Sequence, residues 1–579
     1  MKILRINKSR IISSTVIILI LNIVLLLFYN GLGNVYFQQD EWHALGKTIY
    51  YVNANFIDIF TRKFAFHYIP VTNIYFVIEY LLFKTESKYY LFFGIFLQSI
   101  TGFSFYILLK KIFNNSAVAF AGAVLFITNF EVSQVILVEM VSFYTLSLLF
   151  VNILFIKLYD VIASWSQTKI ADKTVVVFLF ILAILTHEAW FALIVLIPLF
   201  ILMFRFDKHV FNWGKSTKYI VVFAVFFIFF RLVLQIVLPM DGKIPPQPSE
   251  KLAIAHSLAT LPFKSTMQYA IGYGNIFSLS KFYQNKMSYY RNDKTLNQDL
   301  MATTMAYDMV VYYISAAVLV LLLIILSICK TNIGFKNRYI KAIIFGVGWI
   351  VAMSVVMSMQ KRFFNSIDSR YMYLFSEGIV VLMVSLPVLV ANYFKNVMSA
   401  KFFVVVIALF YIVTFGYYSY FQIQKTEKSI IEVSRVRVNI INQIKKISPS
   451  LSDRTIVYLK CSDDCTSNSR FGMPNEWIVP FQNGFGWTLL VAYSEKDAKK
   501  YAQFFSRDTF LWERGATGYK EVNNIGYGFF TDASQLKLMV SKYKLNTSNI
   551  LGLEYESKKY NIKKMSNLEI NELLNSKLL

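Results

Sequence analysis

The stretch that decides the fold is "TVVVFLFILAILTHEAWFALIVLIPLFILMF", residues 174–204, where a polar pair interrupts an apolar run. Because a helix needs about 20 apolar residues to cross a bilayer, the run could be one long span or two short ones. The cations that follow the run decide between these two possibilities, since loops rich in Lys and Arg stay in the cytoplasm. Two short spans, with His187 and Glu188 at an outer turn, keep those cations on the same side as the other basic loops.

The composition is typical of a membrane protein. Of the 579 residues, 56% are hydrophobic and only 16% are charged, and the mean hydropathy is +0.50. A soluble protein of this length would carry more charge. Apolar windows predict about eleven membrane spans. They lie at 11–28, 89–109, 116–130, 134–156, 174–186, 189–204, 219–238, 309–328, 341–359, 371–391 and 402–420.

The net charge of +24 is explained by basic residues in the loops between the predicted spans, and it does not indicate nucleic-acid binding. With a cytoplasmic N-terminus, every second loop between the windows is basic, which agrees with the positive-inside rule. The cations concerned are Lys110, Lys111, Lys157, Lys169, Lys173, Arg205, Lys208, Lys215, Lys218, Lys330, Lys336, Arg338, Lys341, Lys395 and Lys401. The sequence therefore predicts a polytopic α-helical protein of the plasma membrane.

An odd number of spans places the C-terminal part outside the cell. We predict a transmembrane module at 1–421, with large outer loops at 29–88 and 239–308, and a small extracytoplasmic α/β domain at 422–579. The domain begins with a charged helical stretch at 422–447, followed by the strand-like "TIVYLK" and "EWIVPF" and a polar helix near "SEKDAKKYAQFF". Cys461 and Cys465 could form a disulfide there.

Ionisable residues collect at the predicted outer turns, where charge near a bilayer usually has a function. Each also has a structural interpretation: Asp40 could be a helix N-cap, the acids of the turns could be polar tips, and Arg370 could anchor its span at the interface. The residues are Asp40, Glu41, Glu131, Glu139, His187, Glu188, Lys361, Arg362 and Arg370.

Four motifs in this order resemble the GT-C superfamily of membrane glycosyltransferases, which includes protein O-mannosyltransferases and aminoarabinose transferases. They are the acidic "QDEW" of the first outer loop, "ILLKKIF" at the end of a span, the hairpin tip "THEAW", and "SRYMYL" opening a late span. The resemblance covers roughly 1–421. It departs at the tip, where His187 replaces a frequent Lys, and in "TNFEVSQ", which lacks a His-Pro pair.

The resemblance implies an inverting transfer of a sugar from a polyprenyl-phosphate donor in the bilayer to an acceptor hydroxyl outside the cell. The attacking hydroxyl needs a carboxylate to take its proton, and the phosphate leaving group needs cations. Asp40 would be the base, with Glu41 as the alternate, because adjacent helical residues point about 100° apart. The donor phosphate would be held by Arg370, Arg362 and Lys361. Other substrate contacts would come from His187, Glu188, Glu131 and Glu139.

Two further function classes stay open at this stage. A transporter or flippase of a lipid-linked or anionic substrate also carries membrane charges, although these usually lie in mid-span at broken helices. A non-catalytic scaffold with an exposed C-terminal domain is the other. Five histidines and scattered acids suggest no preformed metal shell, while the resemblance leaves a divalent metal possible because some relatives use one. The sugar and the acceptor are not identified.

Overall fold

The structure is a computed structural model, and it places most of the chain. The described residues are 8–37, 39–63, 67–163, 169–204, 213–238, 251–272, 276, 307–317, 338–359, 367, 369–393, 400–462, 484–506, 509, 511, 517–556 and 558–576. Arg362, Lys361, Cys465 and the predicted strand "EWIVPF" lie outside them. The backbone of Asp40 is described, whereas its side chain is not.

Most of the described residues up to Ile447 are helical. The helices are α1 (Lys8–Phe28), α2 (Gln39–Asn53), α3 (Asp58–Thr61), α4 (Pro70–Phe83), α5 (Ser87–Phe113), α6 (Ser116–Thr128), α7 (Gln134–Leu137), α8 (Phe143–Ala163), α9 (Ile170–Thr186), α10 (Leu193–Phe204), α11 (Trp213–Val237), α12 (Lys251–Ile271), α13 (Arg338–Ser358), α14 (Ser369–Tyr393) and α15 (Ala400–Ile447). Residues 307–317 are also helical.

Four helical stretches among the described residues are long and apolar enough to cross a membrane. They are Ser87–Phe113, Glu139–Ala163, Arg338–Ser358 and Ser369–Leu389. Shorter apolar helices accompany them, including the two halves of the 174–204 stretch, which turns at His187 as the sequence predicts. The chain is therefore a helical protein compatible with a membrane.

The predicted span at 134–156 begins too early. Residues 134–142 form the short helix α7 and a 3-10 turn, Glu139–Val141, before α8 starts at Phe143. Polar groups explain the break, because Gln134 and Glu139 turn to partners on other helices instead of continuing an apolar face. The predicted outer loops also contain regular structure, namely α2 and α4 in the first and α12 in the second.

The C-terminal region forms a five-stranded sheet with helices. The order β2-β3-β1-β4-β5 places β1 in the centre, parallel to both β3 and β4, with antiparallel strands at the two edges. Its elements are β1 (Arg454–Cys461), α16 (Phe485–Ser494), α17 (Ala498–Tyr501), β2 (Gly518–Val522), β3 (Ile525–Phe530), α18 (Ala533–Lys542), β4 (Ile550–Glu556), β5 (Asn561–Lys564) and α19 (Asn567–Asn575). "TIVYLK" is the central strand, as predicted, whereas the polar helix near 494–505 is a single turn followed by a 3-10 turn.

The two regions are joined by one uninterrupted helix. Helix α15 is 48 residues long and includes both the last apolar window and the charged stretch, which the sequence had separated. Cys461, at the end of β1, is disulfide-bonded.

Candidate functional site

Glu41 points into the protein rather than toward solvent. It is 4% exposed, and its carboxylate accepts a hydrogen bond from the backbone N–H of Glu139. Its negative charge also acts on Arg437, a buried residue of α15: burial lowers the pKa of Arg437 to about 10, and Glu41 opposes that decrease. Glu41 is therefore engaged in holding three segments together.

A hydrogen-bonded polar cluster continues behind Glu41. Glu139 is buried and accepts a hydrogen bond from the Ser142 hydroxyl at 2.9 Å, and Ser142 lies 3.1 Å from the Tyr75 hydroxyl. Glu79, fully buried on α4, is close enough for its charge to act on Glu139. Sequence reasoning missed Glu79, although an acid inside an apolar helical run is itself a functional signal.

Asp40 is the second residue of α2, directly before Glu41. The side chain itself lies outside the described residues.

Arg370 borders a cavity of about 350 Å³, a volume in the range of small-molecule sites. Its backbone N–H donates to the Gln134 side chain at 3.1 Å, while the Gln134 N–H donates to the Ser369 hydroxyl at 3.1 Å. Among the described lining residues Arg370 is the only charged one. They are Phe130, Ser133, Gln134, Leu137, Val138, Met140, Val141, Ser369, Arg370, Thr426 and Ile430.

The cavity and the acidic cluster lie on two sides of one turn. Met140 lines the 350 Å³ cavity and also a smaller one, of about 20 Å³, that Glu41 and Glu139 border. The broken segment at 134–142 thus separates carboxylates on one side from a guanidinium on the other.

His187 is buried and caps the turn between α9 and α10. Its Nδ1 accepts the Ala189 N–H at 3.1 Å, and its Nε2 lies 3.2 Å from the Tyr144 hydroxyl. The Tyr144 ring in turn makes an edge contact with Tyr371, next to Arg370, with centroids 6.3 Å apart. Aromatic contacts therefore connect the hairpin tip to the cavity, although His187 does not line it.

Glu188 belongs to an ion-pair network that the sequence did not reveal. Its carboxylate contacts Nδ1 of His67 and lies 4.0 Å from the guanidinium of Arg231, a fully buried residue of α11. Arg231 also donates to the backbone oxygen of Tyr68 and packs over its ring. The network joins the segment before α4, the hairpin tip and α11.

The possible ligand atoms of His67, His187 and Glu188 all lie within 4.8 Å of one another, a spacing compatible with a shared metal ion. A metal-binding histidine normally donates its second ring N–H to an acceptor, whereas Nδ1 of His187 accepts an N–H and Nε2 faces a hydroxyl. The buried cation of Arg231 beside Glu188 also disfavours a second positive charge. The arrangement therefore does not fit a metal.

Glu131 is directed away from the cavity. It is buried, and it accepts a hydrogen bond from the Gln268 side chain at 2.7 Å. Gln268 also pairs with the backbone of Ile367 through both of its amide atoms. Glu131 thus ties its own turn to α12, and Gln268 ties α12 to the loop before α14. Lys361 and Arg362, earlier in that loop, lie outside the described residues.

Removal of the Glu188 carboxylate is expected to destabilise the protein. Arg231 is fully buried, whereas Glu188 is about a quarter exposed. Loss of the partner of a buried charge costs up to about 3–5 kcal/mol, so Glu188→Ala should lower the melting temperature in detergent. The control is Asp160→Ala, which breaks the exposed pair with Lys111 and should cost about 0–1 kcal/mol. An unchanged melting temperature with reduced activity per folded molecule would instead make Glu188 a substrate contact.

No family model and no curated protein matches this sequence. The ordered sequence motifs and the geometry of the site therefore carry the functional assignment.

Proposed function

We propose that this protein is an integral membrane glycosyltransferase of the GT-C type, moving a sugar from a polyprenyl-phosphate donor to an acceptor hydroxyl with inversion. The observation that carries the proposal is the placement of Arg370 in a 350 Å³ cavity across one turn from the acidic first-loop helix. The reaction requires a carboxylate that takes the acceptor's proton and a cation that stabilises the leaving phosphate, and the two sides of this turn offer one of each.

The proposed chemistry assigns a role to each side of the turn at 139–141. The Asp40 carboxylate removes the proton from the acceptor hydroxyl as its oxygen attacks the anomeric carbon. The bond from that carbon to the phosphate oxygen breaks, and the polyprenyl phosphate leaves with the bonding electrons. Arg370 stabilises the growing negative charge, for which its planar fork can make two charge-assisted hydrogen bonds. Glu41 holds the turn rather than reacting.

The proposed setting is the plasma membrane, crossed about eleven times, with the N-terminus in the cytoplasm and the α/β domain outside. Three observations support it. Basic residues occupy alternate loops; the α/β domain packs on α2, at the same end of the bundle as the candidate site; and Cys461 is disulfide-bonded, which is usual in oxidising compartments.

Cysteine labelling tests this orientation. After the native cysteines are replaced by Ser, single cysteines are introduced at Lys110 and at Leu568, which is 68% exposed. A membrane-impermeant thiol reagent added to intact cells should label Leu568→Cys and leave Lys110→Cys unlabelled until the membrane is opened. The reverse pattern, or equal labelling of both positions, would refute the orientation.

The function is tested with the purified full-length protein in lipid vesicles containing radiolabelled polyprenyl-phosphate sugars. Consumption of one donor, with formation of free polyprenyl phosphate that depends on an added hydroxyl acceptor, is the expected result. If the protein is correctly folded and cleaves none of a panel of donors, the proposal is contradicted.

A transporter is the second candidate, and one observation favours it. Glu377 is buried within α14 and accepts a hydrogen bond from the Asn152 side chain of α8 at 2.7 Å, and ionisable residues inside spans often mark transport pathways. The same vesicles separate the two functions, because a transporter moves the labelled donor across the bilayer intact.

A further inference from the structure

The C-terminal α/β domain and the first-loop helix α2 share one hydrophobic core. Side chains of α2 and the segment before it pack with residues of α16, the following 3-10 turn and the central sheet, although more than 400 positions of sequence separate them. The shared core includes Phe37, Trp42, Leu45, Ile49, Val457, Trp487, Leu490, Phe504, Phe505 and Leu553.

Trp487 contacts α2 directly. Its indole N–H donates to the backbone oxygen of Trp42 at 2.8 Å, and its ring stacks on His43 with centroids 4.6 Å apart. Gly46 permits this approach, because a Cβ at that position would lie 2.5 Å from the Trp487 ring. The absence of a side chain at 46 is thus required by the docking of Trp487.

Helix α15 holds the chain leading into α2 from another direction. Three of its side chains bond to backbone groups that precede α2, and Arg437 lies close enough to Glu41 in α2 for their charges to interact. The three hydrogen bonds are Gln424 to the Phe28 oxygen at 2.6 Å, the Gly31 N–H to Glu427 at 3.0 Å, and the Tyr36 N–H to Ser434 at 3.0 Å.

We propose that the α/β domain sets the position of α2 at the outer site, with Trp487 as the principal positioning residue. The catalytic meaning of this role rests on the proposed function, in which α2 carries the base Asp40. Proximity effects make the position important, because a displacement of about 1 Å can cost roughly 10²-fold in rate. Trp487 itself is predicted to touch neither donor nor acceptor.

Gly46→Ala tests the contact in the full-length protein. The added methyl group must push α2 and Trp487 apart, so hydrogen exchange of the α2 amides should accelerate roughly tenfold or more, while exchange in α5 and α14 stays unchanged. Turnover of the polyprenyl-phosphate donor should fall. The donor dissociation constant should stay the same, because the donor phosphate is assigned to Arg370, which belongs to α14 and not to α2. The matched control is Gly94→Ala on α5, where nothing lies within 4 Å of the added Cβ.

A second substitution separates positioning from general instability. In a Trp487→Leu background the clashing ring atoms are gone, so Gly46→Ala should add little further effect on exchange or turnover, which is the non-additivity of contacting residues. Trp487→Phe, a milder change, should keep the fold and lose the hydrogen bond to Trp42. Equal effects of Gly46→Ala in both backgrounds, or α2 exchange unchanged by Gly46→Ala, would overturn the positioning role.

The two proposals fail in distinguishable ways. If α2 exchange responds as expected but no form of the protein, wild type included, consumes a polyprenyl-phosphate sugar, the proposed function is refuted and the mechanical coupling stands. If wild type consumes donor and Gly46→Ala turns over normally despite faster α2 exchange, the positioning role in catalysis is refuted and the transferase stands.

Discussion

Asp40→Asn is expected to leave the protein folded and able to bind donor, while turnover falls by about 10²–10⁴-fold, the usual contribution of a general base. The amide keeps the size and hydrogen-bonding capacity of Asp40 at the start of α2 but cannot accept the acceptor's proton. Turnover is measured with labelled polyprenyl-phosphate sugar under single-turnover conditions, and donor binding is measured separately.

The matched control is Glu41→Gln. Its amide oxygen can still accept the Glu139 N–H, but the negative charge that acts on Arg437 is lost. We expect a lower melting temperature and residual turnover well above that of Asp40→Asn. A nearly normal Asp40→Asn beside an inactive Glu41→Gln would exchange the two roles, and two active variants would refute this mechanism.

Arg370→Met is expected to weaken donor binding and to reduce turnover together, with acceptor affinity little changed. This substitution removes the charged side chain that the described residues of the 350 Å³ cavity offer to a phosphate. Because phosphate charge grows as the bond to the sugar breaks, the loss should be larger in turnover than in binding. Isothermal titration with the donor in detergent and initial rates give the two quantities.

Arg370→Lys and Arg435→Met complete this experiment. Lys keeps the charge without the planar fork, so Arg370→Lys should retain part of the function. Arg435→Met removes an exposed cation of α15 and should change neither quantity, which controls for total charge. Normal donor binding and turnover in Arg370→Met would remove Arg370 from the site and, with it, the main support for a lipid-phosphate donor.

The helical elements could be predicted because apolar residues cluster locally in the sequence. The turn at His187 was predictable for the same reason, because a polar pair divides an apolar run there. The positions of the loop cations favour two short spans over one long span. The break at 134–142 was not, because it depends on partners that only folding supplies: the Gln134 side chain pairs with Arg370, more than 200 positions away.

The sequence predicted the candidate site as a set of residues on the outer side, but the role of each residue depends on where its side chain points. Two adjacent acids are equivalent in sequence, and the structure separates them by directing Glu41 to Glu139. Glu131 and His187 satisfy neighbouring groups instead of lining the 350 Å³ cavity. Arg231, fully buried beside Glu188, could not be linked to it by any local pattern.

Because α15 is unbroken, the number of its residues, more than their identity, fixes how the helical region and the α/β domain are placed relative to each other. At 1.5 Å per residue, its 48 residues extend about 72 Å, far beyond a hydrocarbon core of about 30 Å. Each residue inserted near 414–423 would rotate everything downstream by about 100° and raise it by about 1.5 Å. Even an insertion of two full turns, which restores the facing direction, would lift the domain by roughly 10 Å. We therefore expect this segment to tolerate exchange of amino acids far better than any change in length.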